Sequence, residues 1–117
     1  MSNFKSNDGD MPRKIDPGLP TELAHAISTF GSAARVLILR DLQVRGPASI
    51  PAIAARLDLN EHTVRSNLKV LEGTGVLSGD IPPERRTRTA VQYSVNLGRC
   101  AELLLILRTN VLLPRDT

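Results

Sequence analysis

The chain has 117 residues, the size of one domain, and its 41% apolar content excludes wholesale disorder, although 3% aromatics and no Trp leave the core to Leu, Ile, Val and Ala. A net charge of +3 and a pI near 9.6 hint at a polyanionic partner, and no apolar run approaches the roughly 18 residues of a membrane-spanning helix. Met1 to Pro12 lack the apolar stretch of a secretory leader and the lone Cys100 cannot form an internal disulfide, so a cytoplasmic protein is expected.

Residues 1–18 read as a flexible tail rich in Asn, Asp, Ser, Gly and Pro, with Lys5, Arg13 and Lys14 balancing Asp8, Asp10 and Asp16. One domain is expected over 19–113, with a short tail over 114–117. Leu19, Leu23, Ile27 and Phe30 recur at helical spacing and predict a first helix over 19–30, broken by Gly31. Ser32 caps a second helix over 33–45. Its apolar face is Val36, Ile38, Leu39 and Leu42, while Arg35, Arg40 and Asp41 are expected in water; Gly46-Pro47 ends it. Ser49 caps a short third helix over 50–57, which tolerates Pro51 in its first turn and lines one side with Ile50, Ile53, Ala54 and Leu57.

Asp58 stands where the chain must turn sharply. Leu59 tucks back inside, and Asn60 caps a fourth helix over 61–74. There Val64, Leu68 and Leu71 face inward at i, i+4 and i+7, and Glu61, His62, Arg65, Ser66 and Lys69 fall on the opposite face. Gly75 stops this helix. Val76-Leu77-Ser78 and the alternating Ala90 to Val95 predict two strands. The long connection between them, from Gly79 to Arg88, holds Pro82-Pro83, which disfavours strand continuation. Asn96 opens a last helix over 97–113, stopped near Pro114. The expected fold class is mainly α with a small two-stranded antiparallel hairpin: a winged helix-turn-helix of about five helices.

The stretch 49–74 is helix, tight turn, helix. In that motif the first helix braces the second, whose outer face enters the DNA major groove. Candidate base readers are Glu61, His62, Thr63, Arg65 and Ser66. Arg65 is the best candidate for a guanine, Lys69 for a phosphate, and the amides behind the Asn60 cap also face the backbone. His62 reads equally as a solvated surface residue. In the hairpin, Arg85, Arg86 and Arg88 stand against Glu84 alone; a basic wing there reaches phosphates or the minor groove, where an ordinary loop would only be solvated. Twelve of the fifteen basic residues are arginine, the residue suited to bidentate phosphate and guanine contacts, although codon bias produces the same excess.

The run from Leu57 to Leu77, LDLNEHTVRSNLKVLEGTGVL, resembles the ArsR-type repressors, which carry L-G-L-S-x-x-T-V-S-x-H-L-K-V-L-x-x-A-G-L-V there. Arg35-Val36-Leu37-Ile38-Leu39-Arg40 resembles that family's second helix and Tyr93-Ser94-Val95 its closing strand, so the resemblance covers about residues 20–113. Its Leu-Lys-Val-Leu-Glu core is shared with related winged-helix regulators such as MarR-type proteins. Asp58 stands in place of the usual turn Gly, and Asn67 in place of the usual His. The resemblance implies regulation of transcription and pairing through the terminal helices. Metal-sensing members carry cysteine pairs before the recognition helix or Asp, His and Glu sets in the last helix. Residues 49–57 hold no Cys, the last helix holds no His, and His25 and His62 are far apart, so no metal or other cofactor is expected. Cys100, beside Arg99, reads as a buried apolar Cys or as a redox-sensing thiol.

The last helix is apolar on every side through Leu103-Leu104-Leu105-Ile106-Leu107, and one core buries only one stripe of a helix. A homodimer interface is therefore expected from Leu23 and Ile27 of the first helix with Leu103, Leu104, Ile106 and Leu107 of the last. A symmetric pair places two recognition helices on a palindromic operator. The sequence thus points to a sequence-specific double-stranded-DNA-binding regulator of transcription, a dimeric repressor. The alternative is a protein-interaction winged-helix module without DNA binding. Enzymatic activity is not expected, because there is no Gly-rich phosphate loop, no plausible triad and no paired carboxylates.

Overall fold

The computed structural model describes residues 18–87 and 90–113. The predicted tails, apart from Gly18, and Arg88 lie outside the described residues. In chain order the elements are α1 (Thr21–Phe30), α2 (Ala33–Arg45), α3 (Ile50–Leu57), α4 (Glu61–Gly73), strand β1 (Leu77–Gly79), a 3-10 turn (Pro83–Arg85), strand β2 (Tyr93–Val95) and α5 (Leu97–Val111).

Caps fix most of these boundaries. The side chains of Ser32, Ser49, Asn60 and Asn96 each accept the backbone N–H three residues on, from Arg35, Ala52, Thr63 and Arg99. Helix α1 lacks such a cap and starts at Thr21 rather than 19, because Pro20 before it is extended. Asp58 adopts the left-handed conformation (φ 54°), and Leu59 N–H returns to the Ala54 carbonyl, which closes α3 tightly enough to aim α4 across it. Gly75 (φ 88°) ends α4 in the same way, with Gly75 N–H on Glu72 and Val76 N–H on Leu71.

Ala26, Ile38, Ile53, Val64, Leu68, Leu71, Val76, Leu77 and Leu103 are wholly or almost wholly buried and join all five helices to the hairpin. The strands pair antiparallel, Leu77 with Val95, Ser78 with Ser94 and Gly79 with Tyr93. Ala48, between α2 and α3, adds a bridge on the outer side of Tyr93 and so fastens the hairpin to the helix-turn-helix. Strand β2 is shorter than the predicted Ala90 to Val95, while β1 keeps three residues but lies one position later than Val76-Leu77-Ser78. Beyond the Asp80–Gln92 hydrogen bonds, the first arm curls into the 3-10 turn and leaves Ala90 and Val91 without a strand partner.

Two polar residues expected in water are drawn inward. Asp41 is buried, with Arg56 Nη1 3.1 Å from one carboxylate oxygen, which ties α3 to α2. Arg35 is half-buried: its Nε donates to the Ser28 carbonyl at 2.6 Å and its Nη1 to Asn67 Oδ1 at 3.0 Å, linking α1 to α4. Val36, expected inward, is largely exposed. Buried Thr29 donates to Thr74 Oγ1 at 2.8 Å, and Thr74 passes a hydrogen bond to the Leu71 carbonyl, so this polar contact in the core is satisfied. Among the described residues no helix is long and apolar enough to cross a membrane.

Candidate nucleic-acid interface

Helix α4 divides along its length. Val64, Leu68 and Leu71 point into the core against α2 and α3, while Glu61, His62, Arg65, Ser66 and Lys69 are exposed and Thr63 is half-buried. Asn60 holds the first turn by accepting Thr63 N–H at 2.7 Å. Arg65 and Lys69 have no carboxylate within ion-pair distance among the described residues, in contrast to Arg35, Arg56, Arg86 and Arg99, whose guanidinium groups are engaged within the fold. Asn67, which stands where the resembling family has His, turns inward. Its Nδ2 donates to the Thr63 carbonyl at 2.9 Å and its Oδ1 accepts from Arg35, so it braces α4 rather than facing outward.

The hairpin packs beside the same helix. Between them lies an open cleft of about 780 Å³, lined by Arg65, Lys69, Glu72, Arg86, Val91 and Tyr93 among others. Of the three arginines expected on a basic wing, Arg88 lies outside the described residues and Arg86 departs from that expectation. Arg85 is exposed on the 3-10 turn, whereas Arg86 folds back onto α4 in a bidentate pair with Glu72. Glu72 raises the Arg86 pKa further, and burial pushes the Tyr93 hydroxyl up.

Behind α4, Arg99 joins three elements. Its Nη1 and Nη2 donate to the two Glu22 oxygens at 2.6 and 2.8 Å, and its Nε donates to the Thr74 carbonyl at 2.9 Å. Hydrogen bonding from Arg99, assisted by His25, holds the Glu22 carboxyl at about 2. Helix α5 turns Cys100 and Leu103 into the core, and Ile106 and Leu107 pack partly against it. Leu103 has no exposed surface in the single chain, so it builds that core and cannot add to an interface, contrary to the expectation from the apolar run. Leu97, Leu104, Leu105 and Val111 line the other side and remain exposed, as does Ile27 on α1, while Leu23 is half-buried. Burial raises the Cys100 pKa, which disfavours the thiolate a redox sensor needs. Among the described residues no three His, Cys, Asp or Glu side chains gather where one metal ion could be held.

A helix-turn-helix braced by a third helix and followed at once by an antiparallel hairpin defines the winged helix-turn-helix class. The family model HVO_A0114 matches residues 32–95, more than half of the chain, and the protein belongs to that family. Solved structures share the fold. A possible transcriptional regulatory protein from Mycobacterium bovis (fragment 1–100) is 23% identical with a TM-score of 0.58, over 80% of this chain and 96% of its own. A solution structure from the same organism is described as a homodimeric winged helix-turn-helix DNA-binding domain (fragment 1–100) of a possible ArsR-family transcriptional regulator. It is 23% identical with a TM-score of 0.56, over 76% of this chain and 78% of its own. NolR from Sinorhizobium fredii is 21% identical with a TM-score of 0.57, over 86% and 97%. No curated protein matches the sequence significantly.

Proposed function

We propose that the protein is a sequence-specific, double-stranded-DNA-binding regulator of transcription, ArsR-like in type, that acts as a dimeric repressor on a palindromic operator. The observation that carries this reading is the set of unpaired cations, among the described residues, on the outer face of α4 and on the wing. The guanidinium groups of Arg35, Arg56, Arg86 and Arg99 are engaged inside the fold, while Arg65 and Lys69 on the outer face of α4, and Arg85 on the wing, stand exposed without a carboxylate partner among the described residues. A helix presented in this way fits the major groove, with Arg65 over a guanine edge, Lys69 on a phosphate and Asn60, Glu61, His62, Thr63 and Ser66 along the groove floor and backbone. The M. bovis structures, described as a DNA-binding domain and a possible regulator, support the same use of the fold.

The test is selection of bound sequences from a random DNA pool, followed by affinity measurements on the selected site at several salt concentrations. The expected result is an inverted repeat with half-site centres about 10 base pairs apart and affinity that falls steeply with salt. Failure to bind any duplex at low salt overturns the reading and leaves the protein-interaction alternative.

A further inference from the structure

Among the described wing residues, Arg86 is the arginine that does not reach outward. Its Nη1 and Nη2 donate to Glu72 Oε1 and Oε2 at 2.8 and 2.7 Å, and its Nε donates to the Ile81 carbonyl at 2.7 Å. The guanidinium lies 5.4 Å from the centre of the Tyr93 ring, within cation–π range. The two charged side chains are only 18% and 22% exposed. Gly79 makes room for the Arg86 guanidinium: a Cβ there would stand 2.5 Å from Arg86 Nη2 and 2.6 Å from Val91 Cγ1.

Glu72 occupies the last turn of α4, where the helix dipole disfavours an acid and no basic residue of that turn offsets it. Its bidentate partner comes from across the hairpin, 14 residues later. We propose that Arg86 and Glu72 form a positioning latch, which fixes the angle of the wing against the recognition helix so that α4 and exposed Arg85 meet one duplex together. Arg86 acts through that placement and makes no DNA contact of its own. The proposal rests on the DNA-binding reading above for its consequence, and on the hairpin alone for its geometry.

The variant Glu72→Gln separates the two roles of Arg86 by sign. If Arg86 were a phosphate contact restrained by Glu72, removing the acid would strengthen DNA binding and steepen the salt dependence by about one unit. A latch predicts the opposite: faster amide hydrogen exchange in the β1–β2 connection, and affinity for the selected site lower by about fivefold or more. The charge swap Glu72→Arg with Arg86→Glu rebuilds the pair at constant net charge and is expected to return both exchange protection and affinity to within about twofold of the parent. Thermal melting and sedimentation of each variant show that the fold and assembly persist. Tighter binding by Glu72→Gln, unchanged hairpin exchange, or a folded swap that restores neither property overturns the latch. If the parent chain binds no DNA, the functional reading fails, and hairpin exchange in Glu72→Gln still decides whether the latch exists.

Discussion

Asp41 lies 7% exposed between α2 and α3, with Arg56 Nη1 at 3.1 Å and Arg45 Nε at 3.6 Å. Replacing it by Ala removes the tie between the two helices, but Arg56 is 25% exposed and can turn to water. The expected loss of stability is therefore about 1–3 kcal/mol, below that of breaking a fully buried pair. Urea unfolding with an unchanged slope checks it, and a change under about 0.5 kcal/mol would show that the pair contributes little. Glu22 gives a pH-dependent counterpart. Arg99 donates to both its oxygens and holds its carboxyl at about 2. A folded-state pKa below the unfolded value near 4.3 means that the contribution is fully present above about pH 5 and fades as pH falls through 4 towards 2. The stability difference between the parent and Glu22→Gln should stay constant from about pH 5 to 7 and close below pH 4. A difference that does not vary over that acid range would show that the Arg99 contact is absent in solution.

At the scale of elements, α4 and the hairpin assign different work to similar residues. Arg65→Ala is expected to weaken binding to the selected site by about 1–3 kcal/mol with little effect on random duplex, since a bidentate base contact carries sequence information. Lys69→Ala is expected to weaken both DNAs alike and to lower the salt slope by about one unit, as one fewer counterion is released. Competition titrations on both duplexes decide the matter, and equal losses for Arg65→Ala on both would remove Arg65 from base reading. The division of α4 into inner and outer faces was legible because Val64, Leu68 and Leu71 follow the helical period, and Ser32, Ser49, Asn60 and Asn96 announce helix starts by their chemistry. The sharp turn at Asp58 was legible as well, because Asp is among the few residues that tolerate a left-handed conformation. The partners of Arg35, Asp41, Asn67 and Arg86 were not. Beyond local bonds such as Thr63 with Asn67 and Arg45 with Asp41, each is held by a residue on another element, 14 to 32 positions away, and periodicity places a charge on a face without showing what the fold brings against it. One local signal did exist at Glu72, an acid in a last helical turn that lacks a basic residue.

For the whole molecule, α5 carries two apolar stripes and the single chain covers one of them. Cys100 and Leu103 are buried, whereas Leu104 is 51% and Leu105 59% exposed, with Leu97, Val111 and Leu112 exposed on the same helix or just beyond its end. Ile27 adds exposed apolar surface from α1, the helix that packs most extensively on α5. A second copy of the chain is the proposed cover, and it brings two α4 helices into one assembly. If so, the parent protein sediments as a dimer at micromolar concentration. Leu104→Glu and Leu105→Glu change positions that the folded monomer already leaves in water, so each chain should fold, and at least one should sediment as a monomer because the dimer would bury a charge. Such a monomer keeps one half-site contact and loses the second, so its affinity for a palindromic site should fall by about 100-fold or more. Leu103→Glu is the internal control, since that side chain has no exposed surface and a carboxylate there should unfold the domain rather than split it. A parent protein that sediments as a monomer, or two folded Glu variants that both remain dimers through some other face, would refute the α5 interface.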